Sequence, residues 1–245
     1  MHTILIAGRA GVGKTTLAKL IAEKVFDRGL IPVLLSFAGP IKEEAKKKGY
    51  IKEEFPEKYR KYCQNMGAQM RTLDPDYWVN EMFKALAEEH EKEKDSLDSG
   101  TKFWERCVII DDCRYMNEII LGKEIGSTII FLSSGCRKLE DHEWREHESE
   151  SFANEVEDNK QEFKDLFTCV LMNDRDVDSL GNKIEGMVPV WCCIEVDPED
   201  TCNCIRCRLR REGKTEEISA AMEHLIDLLD LPPMDEWEDE DEETE

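Results

Sequence analysis

The chain has 245 residues, 40% of them hydrophobic, and a formal net charge of -22. That charge argues against a protein that coats nucleic acid or anionic membrane by general electrostatics. The apolar content argues against wholesale disorder, and no run approaches the ~18 apolar residues that span a bilayer.

Thr3–Ala7 reads as a first strand. It has no basic leader region before it and passes straight into Gly8-Arg9-Ala10-Gly11-Val12-Gly13-Lys14-Thr15. The expectation is therefore a strand rather than a signal peptide. The expected compartment is the cytoplasm (the host's, if the source is viral), with the ten cysteines held as thiols or metal ligands.

Lys14–Asp27 has Leu17, Leu20, Ile21 and Val25 at helical spacing. Ile31–Phe37 is a second apolar strand, stopped by Gly39-Pro40. Helices are expected from Pro56 to about Leu73 and from Tyr77 to about Lys92, with Asp74-Pro75 between them. Further strands are expected at Cys107–Ile110, Thr128–Leu132 and Phe167–Met172, and a helix over Tyr115–Lys123. Five short apolar strands separated by helices indicate an α/β fold, a three-layer arrangement around a five-stranded parallel sheet. The expected organisation is a main domain over 1–187 with a charged, lid-length insertion at about 134–164. A Cys-rich segment with an amphipathic helix follows over 188–233, then an acidic tail over 234–245.

The G-x-x-x-x-G-K-[ST] spacing carries the strongest chemistry. Gly8, Gly11 and Gly13 let backbone N–H groups of Val12 and its neighbours turn inward around phosphate oxygens. The helix that opens at Lys14, Thr15 and Thr16 adds the positive end of its dipole. Lys14 can reach the β- and γ-phosphates of ATP, and the Thr15 hydroxyl can join the shell of Mg²⁺. Asp111 and Asp112 end an apolar strand, where a carboxylate can hold Mg²⁺ directly or through water; the alternative is that they cap the next helix. Arg114 lies two residues further on, and its fixed donor fork suits phosphate.

Beyond these residues, several short blocks occur in a set order over about Thr3 to Gly186. They are Phe37-Ala38-Gly39-Pro40-Ile41-Lys42, Arg60-Lys61-Tyr62-Cys63-Gln64-Asn65-Met66-Gly67, Asp76-Tyr77-Trp78-Val79, Asp112-Cys113-Arg114-Tyr115-Met116-Asn117-Glu118, His147-Glu148-Ser149-Glu150 and Asn173-Asp174. Together they resemble the phage-type deoxynucleoside monophosphate kinases. The resemblance implies that Lys42, Arg60 and Arg114 hold an acceptor phosphate, with Gly67, the last residue of a block similar to the family's helix end, among the substrate-binding residues. It also implies that Trp78 stacks on or walls the base, and that Asp112 and Glu118 orient sugar, base or arginine. Arg137 and Arg145, in the lid-length segment, would close over the transferring group. Cys63 and Ala68 depart from the family pattern, which has Leu or Met at the first position and Thr at the second.

The implied reaction is phosphoryl transfer from ATP·Mg²⁺ to a (deoxy)nucleoside monophosphate. A hydrolytic nucleotide switch and a nucleotide-binding scaffold acting through a protein partner are the other readings. Among the clustered cysteines, Cys193, Cys202, Cys204 and Cys207 could supply four thiolates to Zn²⁺; reduced, unliganded thiols are the alternative. Nine carboxylates and no Lys or Arg lie between Asp235 and Glu245. This is the composition of a solubilising tail with, as a further option, a basic partner. Assembly as a homodimer is left open.

Overall fold

The structure is a computed structural model. It describes residues 1–52, 54–98, 105–135, 148–159, 162–174 and 176–188. The chain divides into Met1–Asp197 and Pro198–Glu245, and every described residue lies in the first unit. The expected zinc ligands Cys193, Cys202, Cys204 and Cys207, the lid arginines Arg137 and Arg145, and the acidic tail all lie outside the described residues.

Five strands form one sheet: β1 (His2–Ala7), β2 (Ile31–Leu35), β3 (Arg106–Cys113), β4 (Thr128–Ser133) and β5 (Cys169–Met172), in the order β2-β3-β1-β4-β5. Every pairing is parallel, as the unbroken apolar runs lead one to expect. Pro32 has no N–H to give to a ladder, and it sits in β2 at an edge of the sheet, where that loss is tolerated.

Helices cover both faces. On one side α1 (Lys14–Asp27) and α7 (Val177–Glu185) bury Leu17, Ile21, Val25, Leu180 and Ile184 against Ile4, Ile6, Ile109 and Ile130. On the other, α5 (Met116–Glu124) lies so close that a Cβ at Gly122 would come within 2.6 Å of Leu5 Cδ2. The long helix α4 (Tyr77–Asp98) also packs against β3 and α5, with Phe83 and Leu86 fully buried. Burial of these apolar side chains, at about 1.5–3 kcal/mol each, is what holds the layers together.

Three helices go beyond the sequence reading. The first is α2 (Gly39–Lys47), which starts at the glycine-proline pair expected only to end a strand. Proline fits the first turn of a helix, because its missing N–H is one the helix does not need. The second, α6 (Glu148–Asp158), forms the latter part of the lid-length segment and buries Phe152, Ala153 and Val156. The third is α7, N-capped by the Asp176 carboxylate, which accepts the Ser179 N–H at 2.7 Å. The remaining helix, α3 (Pro56–Leu73), matches its expected span.

The central strand β1 ends where chain connections leave in opposite directions, toward β2 and β3 on one side and β4 on the other. In a parallel sheet this is where ligands bind, beyond the carboxyl ends of the strands. The β1–β3 register shifts there: Leu5 pairs with Ile110, but Ala7 pairs with Cys113. Two residues of β3, Asp111 and Asp112, thus oppose one residue of β1. A bulge of this kind re-aims side chains next to a site.

Candidate phosphate-binding site

The loop after β1 has the shape its glycines allow. Gly8, Gly11 and Gly13 have φ values of 143°, 76° and 104°, a backbone region costly for any residue with a Cβ. Gly8 has a second reason to be glycine, because a Cβ there would strike the Leu132 carbonyl oxygen of β4. At Gly13 a Cβ would come within 2.7 Å of Asn173 Nδ2. That amide donates to the Val12 carbonyl at 2.7 Å, and the Asn173 N–H donates to the Ser133 carbonyl at 2.8 Å. Asn173, just after β5, therefore fastens the loop to the sheet.

Lys14 is buried, with its ammonium donating to the Gly8 carbonyl at 2.6 Å and the Arg9 carbonyl at 2.9 Å. Burial, and next the Arg114 charge, bring its pKa down to about 8, against the opposing pull of Glu150, Asp112 and Asp111. A lysine held across its own loop is ready to turn to phosphate oxygens with little conformational cost.

The bulge separates the roles of the two aspartates. Asp111 Oδ2 accepts the Thr15 hydroxyl at 2.6 Å. These are two hard oxygen donors side by side, and cis ligands about 2.1 Å from Mg²⁺ stand roughly 3 Å apart, so the pair fits one edge of its octahedron. Asp112 turns the other way, into the segment after β2. Its carboxylate accepts the Phe37 N–H at 2.7 Å, the Ala38 N–H at 3.2 Å and the Ser36 hydroxyl, and pairs with Lys42 at 3.1 Å. Although burial alone would raise its pKa, Lys42, Ser36 and Arg114 together hold it below the usual carboxylate value. Neither aspartate caps α5, whose N-cap position is Tyr115.

Glu118 is 1% exposed in the first turn of α5. One oxygen accepts the N–H groups of Arg114 and Tyr115 at 2.6 and 3.1 Å, and the other pairs with Arg71 at 3.0 Å. Burial outweighs these contacts and pushes its pKa up to about 7. Glu118 therefore fixes the backbone that presents the Arg114 guanidinium, which itself pairs with Glu150 of α6. Arg60, on α3, has its pKa lowered first by burial and next by the Arg114 charge, against the pull of Glu150, so it lies in the same field.

Lys42 is thus tied to Asp112 and Arg114 to Glu150, beside the glycine loop, and Arg60 lies near enough to Arg114 and Glu150 to feel their charges. Trp78 is 5% exposed, with its indole N–H donating to the Gly67 carbonyl at 3.2 Å, which makes it a wall behind Gly67. Four participants were given no role from sequence: Ser36, Arg71, Glu150 and Asn173. Arg71 bonds the Gly67 carbonyl at 3.3 Å and stacks 3.7 Å over the Tyr115 ring. On a helix end it reads as a solvated cation, and only the tertiary contact with Glu118 brings it into the site.

No family model matches the chain, and no curated protein matches it. A solved structure of shikimate kinase from Bacteroides thetaiotaomicron is similar over 76% of this chain and 98% of that one, at 16% identity and a TM-score of 0.38. A likeness at that level carries nothing about substrate or mechanism.

Proposed function

We propose that the protein transfers the γ-phosphoryl group of ATP to a (deoxy)nucleoside monophosphate, giving the diphosphate. The observation that carries this reading is the second cationic cluster, Lys42 and Arg114 with Arg60, beside the glycine loop. A hydrolytic switch needs one phosphate site and a positioned water. A kinase acting on a phosphorylated acceptor needs a second set of phosphate donors, and these residues are suited to supply it.

The loop amides and Lys14 would hold the β- and γ-phosphates. Thr15 and Asp111 would hold Mg²⁺, which when bound neutralises the β- and γ-oxygens. Lys42, Arg60 and Arg114 would bring an acceptor phosphate into line. One P–O bond then forms from an acceptor oxygen that is already anionic, as the bond to the ADP oxygen breaks. No proton needs to be removed, which fits carboxylates such as Asp112, Glu118 and Glu150 that are each already paired with a cation. Positioning and charge neutralisation are what the chain supplies.

A panel of ribo- and deoxyribonucleoside monophosphates with ATP·Mg²⁺, scored for diphosphate product, tests the reading. Diphosphate from at least one member is expected. Phosphorylation of a small hydroxyl compound in place of every monophosphate would reassign the acceptor.

A further inference from the structure

Glu150 lies in the first turn of α6, and its side chain is 4% exposed. One carboxylate oxygen accepts the Ala10 N–H of the glycine loop at 2.7 Å, and the other accepts from the Arg114 guanidinium. Its negative charge also raises the proton affinity of Lys14 and Arg60. A single anionic group therefore lies between a loop amide and an arginine of the second cluster, in reach of the fields of two further cations. Under the proposed function, a loop amide and this arginine are donors that a phosphoryl group passing from one substrate to the other would meet.

An amide N–H has one hydrogen. A phosphate oxygen can take the Ala10 N–H only if the carboxylate gives it up, and Arg114 can face a phosphate fully only by loosening its pair with Glu150. The carboxylate is anchored as well. Phe152, Ala153 and Val156 bury the same helix, and Glu157 accepts the Ser133 hydroxyl at 3.0 Å and the Ser134 N–H at 3.1 Å at its far end. A loose surface glutamate could drift aside at no cost; this one must be displaced.

We propose that Glu150 is a tethered anion that stands in for the phosphoryl group between Ala10 and Arg114 and is exchanged for it when phosphate binds. The inference rests on the reading of the loop as a nucleotide site. It makes Glu150 a positioning residue that opposes phosphate binding while keeping the donors arranged for it. The sign of its effect separates it from a structural role. A residue that merely braced the loop and Arg114 would weaken phosphate binding when changed, whereas a competing anion strengthens it.

The test is titration calorimetry of the full chain with ATP·Mg²⁺ and with pyrophosphate, comparing wild type with Glu150→Gln and Glu150→Asp. Gln keeps the shape and an acceptor oxygen but removes the charge. Asp keeps the charge and withdraws it by one methylene. Binding of either probe about 5- to 50-fold tighter to Glu150→Gln, with Glu150→Asp between it and wild type, is the expected result; about 1.4 kcal/mol corresponds to tenfold. Should the Gln variant fail to fold, tighter binding by Glu150→Asp supports the proposal, and equal or weaker binding overturns it. Wild type binding ATP with neither variant tighter overturns the proposal and leaves the nucleotide site standing. Tighter pyrophosphate binding without diphosphate formation in any monophosphate assay keeps the proposal and sinks the kinase reading. No binding of either probe by any of the three proteins overturns both.

Discussion

The carboxylate of Asp112 accepts the Phe37 N–H at 2.7 Å across the gap between β3 and the segment after β2. This bond, with those from Ala38 and Ser36 and the ion pair to Lys42, makes one side chain both the closure of a turn and the seat of Lys42, the cation proposed to meet the acceptor. Asp112→Ala would leave the buried Phe37 amide unsatisfied and Lys42 without its anchor. The cost should be about 2–4 kcal/mol in denaturant unfolding, with a rise in acceptor KM beyond tenfold. Unchanged unfolding and unchanged KM would mean that Asp112 closes nothing and seats nothing.

Under the proposed function Thr15 and Asp111 would hold magnesium, and they supply little of the core, since both are at least partly open to solvent. Thr15→Val and Asp111→Asn should raise the Mg²⁺ concentration for half-maximal activity about 10- to 100-fold. Thermal stability should stay within about 1 kcal/mol of wild type. Equal Mg²⁺ dependence in all three proteins would remove these two side chains from the metal shell.

Lys14 has a pKa lowered to about 8, chiefly by burial. The free protein should lose the charged lysine as pH rises through that value, so under the proposed function kcat/KM for ATP should fall above pH 8, reporting the unliganded protein. Glu150 is among the charges that hold this pKa up, so Glu150→Gln should move the falling limb to lower pH. A profile level to pH 10 contradicts the assignment.

Glu118 titrates near 7 in the folded protein, against 4.5 for the free side chain. A carboxyl whose folded pKa is raised binds its proton more tightly when folded. Its contribution is complete below pH 4.5 and is lost as pH rises through about 7. Wild type should therefore lose on the order of 1–3 kcal/mol over that window relative to Glu118→Gln, measured by urea unfolding across pH. Parallel stability curves for the two proteins would show that burial does not dominate at this site.

How far the sequence carried the site depended on how local each residue's role is. The loop conformation was legible because a turn that aims its amides inward needs glycines at fixed places after a strand, and Gly8, Gly11 and Gly13 have the positive φ values expected. The parallel sheet was legible from unbroken apolar runs. The division of labour between Asp111 and Asp112 was not, because it comes from a register shift between β1 and β3 that no single strand encodes. Nor was Arg71 legible as a site residue, and Glu150 and Asn173 stood in blocks read from the sequence but with no role attached. Each acts through a partner distant in sequence: Glu118, Ala10 with Arg114, and Val12. Helix α2 was missed because Gly39-Pro40 was read as a stop, although proline is equally at home in a first helical turn.

The fate of the γ-phosphoryl group tests the central claim most directly. ATP labelled at the γ-phosphorus is incubated with the full chain, Mg²⁺ and the panel of nucleoside monophosphates, alongside Lys14→Ala as the control. Label should appear in a nucleoside diphosphate, with Lys14→Ala slower by at least about 100-fold. Label recovered only as inorganic phosphate, or product formation undiminished in Lys14→Ala, would contradict phosphoryl transfer from this loop to a second phosphate.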